Sequence, residues 1–104
     1  MTKYTEIFKL KKMLEEAGIP FEFFNRSNGN FEGYQIIYRH QTEQLDDFAC
    51  SIIQGDISYG GNKNLLEIMG LLTEEEKKQD SVIGFLTAEE VFKRIKEDWE
   101  NDKL

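Results

Sequence analysis

The chain has little cysteine, proline or histidine, and it has no long run of apolar residues. It contains one residue of each of these three types among 104. The lone Cys50 excludes an internal disulfide and is typical of a reducing compartment. No window approaches the roughly 18 consecutive apolar residues of a membrane span, and the charged N-terminal stretch has no signal-peptide core. We therefore expect a cytoplasmic protein without a membrane segment.

Positive charge is also scarce in this chain. There are 13 Lys plus Arg against 20 Asp plus Glu, which gives a formal net charge of −7. The imbalance lies in residues 41–104, where 7 basic side chains face 15 acidic ones. Proteins that bind DNA or RNA usually present a basic surface. We therefore expect no nucleic-acid partner.

Apolar residues at helical spacing predict the helices of one domain that spans residues 1–104. A first helix is predicted over 2–17, and Gly18 and Pro20 end it. Sequences that resemble capping boxes predict three further helical segments. These segments are a short helix from Asn64 to Met69, a short helical turn from Thr73, and a C-terminal amphipathic helix from Ala88 to about Asn101.

Alternating apolar residues and turn-forming loops predict the strands. Three strands are expected, and they are residues 21–25, 33–39 and 48–54. The apolar segment 81–86 fits either a strand or an extended linker. Because the strands follow one another and the remaining helices follow them, the pattern predicts an α+β fold. In it a three-stranded antiparallel meander is covered by helices, with the C-terminal helix packed on the sheet.

Cys50 and His40 are the candidates for a thiol nucleophile and its base. If residues 40–47 form the loop of a hairpin, Ile37 lies opposite Cys50, and His40 lies three residues further on, about 10 Å away. A working pair needs contact near 3 Å. We therefore expect Cys50 to be a buried structural residue and the protein not to be an enzyme. One His and one Cys supply too few zinc ligands, and no calcium-loop spacing occurs, so we expect no metal and no other cofactor.

The Gly-rich loop over residues 58–64 is the most unusual stretch. Its main-chain N–H groups could hold an anion in front of a helix, helped by Lys63. The loop lacks the spacing of known phosphate-binding motifs, and a tight turn with positive φ at Gly60 and Gly61 is the simpler explanation. If the loop binds a ligand, the binding residues are Tyr59, Gly60, Gly61, Asn62 and Lys63.

Tyrosines are the aromatic residues expected to reach the surface. The phenol has a polar tip, and the four tyrosines are Tyr4, Tyr34, Tyr38 and Tyr59. Tyr34 and Tyr38 lie on one face of the predicted second strand. They are therefore the candidate partner-binding residues outside the Gly-rich loop.

Three segments of the chain carry a family resemblance. They are GYQIIY (33–38), CSIIQGDISYGGNKNLLEIMGLLTEEE (50–76) and VIGFLTAEEVFKRIKEDWE (82–100). As a set they resemble a family of small uncharacterised proteins encoded in phages and prophages of Gram-positive bacteria. The resemblance implies a phage accessory protein that acts in the host-cell cytoplasm. It implies no catalytic or binding residue, and the loop over 40–47 is longer than expected for the family.

These observations favour a small non-catalytic module that binds an unidentified protein partner, as a monomer or a homodimer. Two alternatives stay open. One is an acidic mimic of nucleic acid that blocks a DNA-binding protein, and its carboxylates would be Glu89, Glu90, Glu97, Asp98, Glu100 and Asp102. The other is a binder of anions or small ligands that uses the loop over 58–64.

Overall fold

The computed structural model describes residues 4–40, 48–58 and 60–102, apart from the side chains of His40, Phe48 and Asp102. The described chain has an α+β fold, as predicted. Its elements are helix α1 (Glu6–Ala17), strands β1 (Phe21–Asn25), β2 (Gly33–His40) and β3 (Phe48–Gly55), a 3-10 turn (Gly61–Lys63), strand β4 (Leu66–Met69), helix α2 (Glu74–Gln79), strand β5 (Val82–Leu86) and helix α3 (Ala88–Asp102).

The strands form a single antiparallel sheet in the order β1-β2-β3-β4-β5. The prediction of three strands is therefore too low by two, since β4 and β5 extend the meander. Residues that pair directly share one face of a sheet. One apolar row crosses all five strands, and its members are Phe23, Ile36, Ile52, Ile68 and Ile83.

The core lies between one face of the sheet and the two long helices. Helix α1 contributes Ile7, Leu10 and Leu14, which are fully buried. Helix α3 contributes Val91 and Ile95, which are equally buried. Each buried side chain of this size stabilises the fold by about 1.5–3 kcal/mol. The apolar residues at helical spacing therefore form the buried faces of both helices.

The opposite face of the sheet is covered by neither α1 nor α3, because both pack on the core side. We call this surface the open face. Its centre is shielded, since Ile37 is only 5% exposed, whereas Met69 toward β5 is 46% exposed. The register places on the open face the residues Glu22, Phe24, Gln35, Ile37, Ser51, Ile53, Glu67, Met69 and Val82.

The short helix predicted from Asn64 to Met69 is wrong, because residues 66–69 form strand β4. Asn64 has a left-handed φ of 59° and ends the 3-10 turn instead of beginning a helix. Leu66 and Ile68 are then buried on the core face while Glu67 lies on the open face. The alternation of core-face and open-face side chains over residues 66–69 is that of a strand, and it outweighs the apparent capping box.

The remaining segment predictions hold with small shifts. Residues 82–86 form strand β5, which resolves the ambiguous segment. The capping box at Thr73 is present and begins α2. Helix α3 begins at Ala88, as predicted. Helix α1 begins at Glu6, after its N-cap Thr5. Residues 2 and 3 of the predicted helix lie outside the described residues.

The pairing of β2 with β3 differs by one residue from the predicted register. Tyr38 lies opposite Cys50, and His40 lies opposite Phe48. The predicted pairing placed Ile37, an open-face residue, opposite the core residue Cys50, and paired residues must share a face. The main chain of His40 therefore belongs to β2. The rest of the predicted loop, residues 41–47, lies outside the described residues.

Candidate functional site

The Gly-rich loop lies against the N-terminus of α1, which is distant in sequence. Asn64 Oδ1 accepts hydrogen bonds from the N–H groups of Thr5 at 2.8 Å and Glu6 at 3.4 Å. Gln54 Oε1 accepts from the N–H of Ile7 at 2.9 Å. The first N–H groups of a helix are those that would hold an anion. Here they are already bonded to two side chains of the protein.

Glycine is needed at positions 60 and 61 of this loop for two different steric reasons. Gly60 has φ 88°, as predicted. The expectation of positive φ at Gly61 is wrong, because this residue begins the right-handed 3-10 turn. Gly61 is required by space instead, since a Cβ there would lie 2.0 Å from the carbonyl oxygen of Gly55.

A polar cavity of about 370 Å³ adjoins the loop, and its lining includes Gly61, Asn62 and Lys63. The Asp56 carboxylate also lines it and accepts hydrogen bonds from the Tyr4 hydroxyl and, at 2.9 Å, from the N–H of Glu32. A carboxylate in the wall opposes the binding of an anion. Among the described residues of the lining, Lys63 is the one with a basic side chain. The geometry therefore gives an anion site little support.

The structure brings Gly60, Gly61, Asn62 and Lys63 together, whereas Tyr34 and Tyr38 lie on strand β2. Tyr59 lies outside the described residues. Tyr34 is half-buried on β2, where its ring lies edge-on to Phe8 with 4.8 Å between centroids and stacks on Phe23 at 6.1 Å. It belongs to an aromatic cluster beside the core.

Tyr38 and Tyr4 do not reach the surface, contrary to the prediction. Tyr38 is fully buried, and its hydroxyl donates to Asp98 Oδ2 at 2.7 Å. Tyr4 is 3% exposed, and its hydroxyl donates to Asp56. Each tyrosine hydroxyl donates a hydrogen bond to a carboxylate that is distant in sequence. Both rings can therefore be buried without leaving a hydroxyl unsatisfied. Tyr38 therefore has no exposed area to offer a partner.

The Cys50 thiol is fully buried in the core. Burial raises its pKa to about 12, so the thiol stays protonated at neutral pH. A thiol of this kind is neither a nucleophile nor a metal ligand without opening of the fold. Within the ranges that the structure describes, no three His, Cys, Asp or Glu side chains form a cluster able to hold a metal ion.

Three carboxylates proposed as phosphate mimics on α3 have basic partners. Glu89 forms an ion pair with Lys9, and Glu100 lies 3.9 Å from Lys96. Asp98 lies 3.5 Å from a guanidinium nitrogen of Arg39. These partners reduce the negative potential that a mimic of DNA requires.

Sequence reasoning missed the exposed apolar side chains near the open face. Four large hydrophobic residues of the described chain are well exposed, and Phe8, at 36%, is the least exposed of them. The other three are Ile57 at 83%, Phe85 at 56% and Met69 at 46%. Met69 lies on the open face, and Phe85 lies at its β5 edge. Ile57 lines a cleft with Ile53, which is an open-face residue.

Phe85 is held in a backbone conformation that is unfavourable for a bulky residue. Strand β5 has a bulge in which Gly84 and Phe85 together lie opposite Glu67. Phe85 has φ 62°, in the left-handed region. That conformation costs on the order of 1–2 kcal/mol for a residue with a Cβ. A ring that is 56% exposed recovers little of this cost by burial.

The cleft beside Ile57 has a volume of about 190 Å³ and a mostly apolar lining. Phe31, Ile53 and Ile57 supply its apolar side chains. Arg26 lies at the same site, with its guanidinium 4.4 Å from the centre of the Phe24 ring. The cleft is therefore suited to an apolar side chain with a polar or acidic neighbour.

Comparison with known proteins finds no matching family model, no matching curated protein and no matching solved structure. In the described part of the chain, no helix has the length and apolar character needed to cross a membrane.

Proposed function

We propose that this protein is a small non-catalytic module that binds another protein through the open face. The observation that carries the proposal is the strained and exposed Phe85, which lies at the β5 edge of the open face that also carries Met69. Strained residues concentrate at functional sites, and exposed apolar patches mark protein contacts. A side chain that costs stability and buries little area is explained by a contact outside the chain.

The chemistry of the open face defines the partner surface that fits it. Apolar side chains on the partner would pack on Ile53, Met69 and Phe85. Gln35 and Glu67 lie in the same row as Ile53, and polar groups on the partner would form hydrogen bonds with them. The partner therefore has an apolar patch interrupted by hydrogen-bond donors, and no nucleic acid or cofactor takes part.

We also propose that the protein is a phage or prophage accessory factor that acts in the cytoplasm of a Gram-positive host. The resemblance of residues 33–38, 50–76 and 82–100 supports this assignment. The mimic of nucleic acid and the ligand-binding loop have less support, because the α3 carboxylates are partly paired and Asp56 lines the polar cavity.

The test is an affinity pull-down from host lysate, with and without phage infection, followed by salt elution and mass spectrometry. Three variants are compared with the natural chain. Phe85→Gly alters the β5 edge of the open face, and Ile57→Ser alters the cleft that borders this face at Ile53. Lys63→Ala is the matched control at the Gly-rich loop. We expect one partner protein to be recovered in stoichiometric amount and to stay bound at moderate salt. The amount recovered should fall at least tenfold with Ile57→Ser and with Phe85→Gly, and it should be unchanged with Lys63→Ala.

Other outcomes would reject the proposal. Loss of the partner with Lys63→Ala alone would favour the ligand-binding loop. Early release by salt, together with loss in a variant carrying Glu90→Gln and Glu97→Gln, would favour the acidic mimic. Equal recovery of the partner by the natural chain, Ile57→Ser and Phe85→Gly would show that the partner binds another surface.

A further inference from the structure

The two edges of the sheet differ in their ability to accept another strand. Natural sheets protect their edges with bulges, charges or short strands. Strand β5 is interrupted by the bulge at Gly84 and Phe85, which breaks the spacing that an incoming strand needs. Strand β1 has no such irregularity, since all five of its residues pair in register with β2. The β1 edge is therefore the one prepared for strand addition.

One main-chain hydrogen bond establishes which groups of β1 point away from the sheet. The N–H of Arg26 donates to the carbonyl of Gly33 at 2.8 Å. Because main-chain groups alternate along an antiparallel strand, Glu22 and Phe24 also direct theirs toward β2. Phe23 and Asn25 therefore direct their N–H and C=O groups outward.

We propose that β1 pairs in antiparallel fashion with β1 of a second copy of this chain, about a two-fold axis at Phe24. In this register Phe24 lies opposite Phe24 of the second copy. Glu22 lies opposite Arg26 of the second copy, on the same face. Phe23 and Asn25 then exchange about four main-chain hydrogen bonds across the axis. The strand is complementary to itself in charge, in aromatic contact and in main-chain groups.

Three side chains of this interface, those of Phe23, Phe24 and Arg26, already make contacts within one copy. The Phe23 ring lies 5.6 Å from Phe8 and 6.1 Å from Tyr34, between centroids. Arg26 lies over the Phe24 ring and donates from Nε to Gln35 Oε1 at 3.0 Å. Little side-chain freedom remains to be lost on pairing, which reduces the cost of association.

Pairing along five residues gives a small interface. Edge contacts of this size lie below the roughly 1,200 Å² of total buried surface typical of stable complexes. We therefore expect a dimer that dissociates with dilution over a micromolar range. Its sheet is continuous through ten strands, since each copy contributes five. The two open faces then lie on one side of that sheet.

The test is sedimentation equilibrium between roughly 1 and 500 µM, with four variants. For the natural chain we expect the mass to rise with concentration from 12.2 kDa toward twice that value. Glu22→Arg and Arg26→Glu each place like charges opposite each other, so each should raise the dissociation constant at least tenfold. The double variant restores opposite charges and should return to within about threefold of the natural value. Glu75→Lys, an exposed reversal on α2, is the matched control and should change nothing.

A second measurement does not depend on charge. Phe24→Cys places two thiols across the proposed axis, and mild oxidation should cross-link the copies through them. Glu75→Cys, the matched control, should cross-link much more slowly. Urea unfolding of each variant separates loss of pairing from loss of folding.

Three results would overturn the inference. They are a monomeric mass at every concentration, a double variant no better than the single ones, and equal cross-linking at both cysteine positions. Ile57→Ser and Phe85→Gly leave β1 intact and should keep the dimer. Loss of the open-face partner and loss of the dimer are therefore distinguishable.

Discussion

At the residue scale, Asn64 joins two parts of the chain that are 59 residues apart. Its side-chain oxygen accepts from the main chain of Thr5 and Glu6 and from Gln54 Nε2 at 2.6 Å. Its nitrogen donates to Thr5 Oγ1 at 2.6 Å. One amide thus serves as the cap of α1 and as the end of the 3-10 turn. A left-handed φ, which Asn tolerates, allows both roles.

We expect Asn64→Ala to lower the free energy of unfolding by about 2 kcal/mol, because it leaves helix N–H groups without acceptors. Asn64→Gly keeps the left-handed backbone and should lose less. Asn62→Ala changes an exposed residue of the same turn and should stay within about 0.5 kcal/mol of the natural chain. Urea unfolding measures all three. Equal stability of Asn64→Ala and Asn62→Ala would contradict the capping role.

Phe85 provides a second prediction at this scale. Phe85→Gly should leave the free energy of unfolding within about 0.5 kcal/mol or raise it, because relief of the backbone strain offsets the loss of a half-exposed ring. Leu86 is next to it and is 6% exposed, so Leu86→Ala should lower the free energy of unfolding by about 2–4 kcal/mol. Thermal and urea unfolding give the comparison. A loss above 2 kcal/mol in Phe85→Gly would mean that the ring serves the fold and not a contact.

At the element scale, an ion pair between Arg94 and Glu76 joins α2 to α3. Arg94 donates from both terminal nitrogens to the Glu76 carboxylate at 2.8 Å, and also to the carbonyl of Leu71 at 3.0 Å. Helix α2 has only six residues and none of them is buried. Its position therefore depends on the contacts that Arg94 makes with Glu76 and with the carbonyl of Leu71.

The same pair predicts a pH dependence. The Arg94 guanidinium, helped by a hydrogen bond with the main chain of Thr73, lowers the pKa of Glu76 from 4.5 to about 2. Because the pKa is lower in the folded state, the pair stabilises the fold fully above pH 4.5. The contribution is lost as the pH falls from 4.5 toward 2.

Glu76→Gln keeps the capping box but removes the charge. It should cost about 1 kcal/mol at pH 7, and this difference should shrink toward zero near pH 2. Urea unfolding of both proteins over this pH range is the measurement. A constant difference would contradict the pairing.

Local signals in the sequence predicted several elements, and long-range contacts explain where those signals failed. The stripe of Val91 and Ile95 needs only the period of a helix, and α3 begins at Ala88 as predicted. Strand β4 was missed because Leu65 and Leu66 are adjacent and hide its alternation. In the candidate site, residues 60–63 are consecutive in sequence, so their proximity needs no long-range contact. The burial of Tyr38 was not predictable, since its acceptor Asp98 lies 60 residues away.

At the scale of the whole molecule, both long helices are capped by other parts of the chain. Besides the caps on α1, Glu6 Oε1 accepts from the N–H of Ala88 at 2.9 Å. The start of α1 therefore caps the start of α3. Cys50 lies in the core that these helices cover, so it reports on the opening of the whole fold.

We expect a water-soluble thiol reagent to label Cys50 only through global unfolding. The labelling rate should rise with urea in step with the unfolding equilibrium, because a buried thiol with a raised pKa does not react in the folded state. Asn62→Cys adds a thiol at an exposed site, which should react at once and serves as the control. Rapid labelling of Cys50 without urea would reveal local opening of β3.

The distant capping of α1 has a consequence for synthesis on the ribosome. Thr5 is made 59 residues before Asn64, so at about 5–20 residues per second roughly 3–12 seconds separate the helix from its cap. A helix of 12 residues is marginal by itself in water. The N-terminal segment should therefore stay unstructured while the strands form behind it. It becomes a helix only when the turn that caps it has been synthesised.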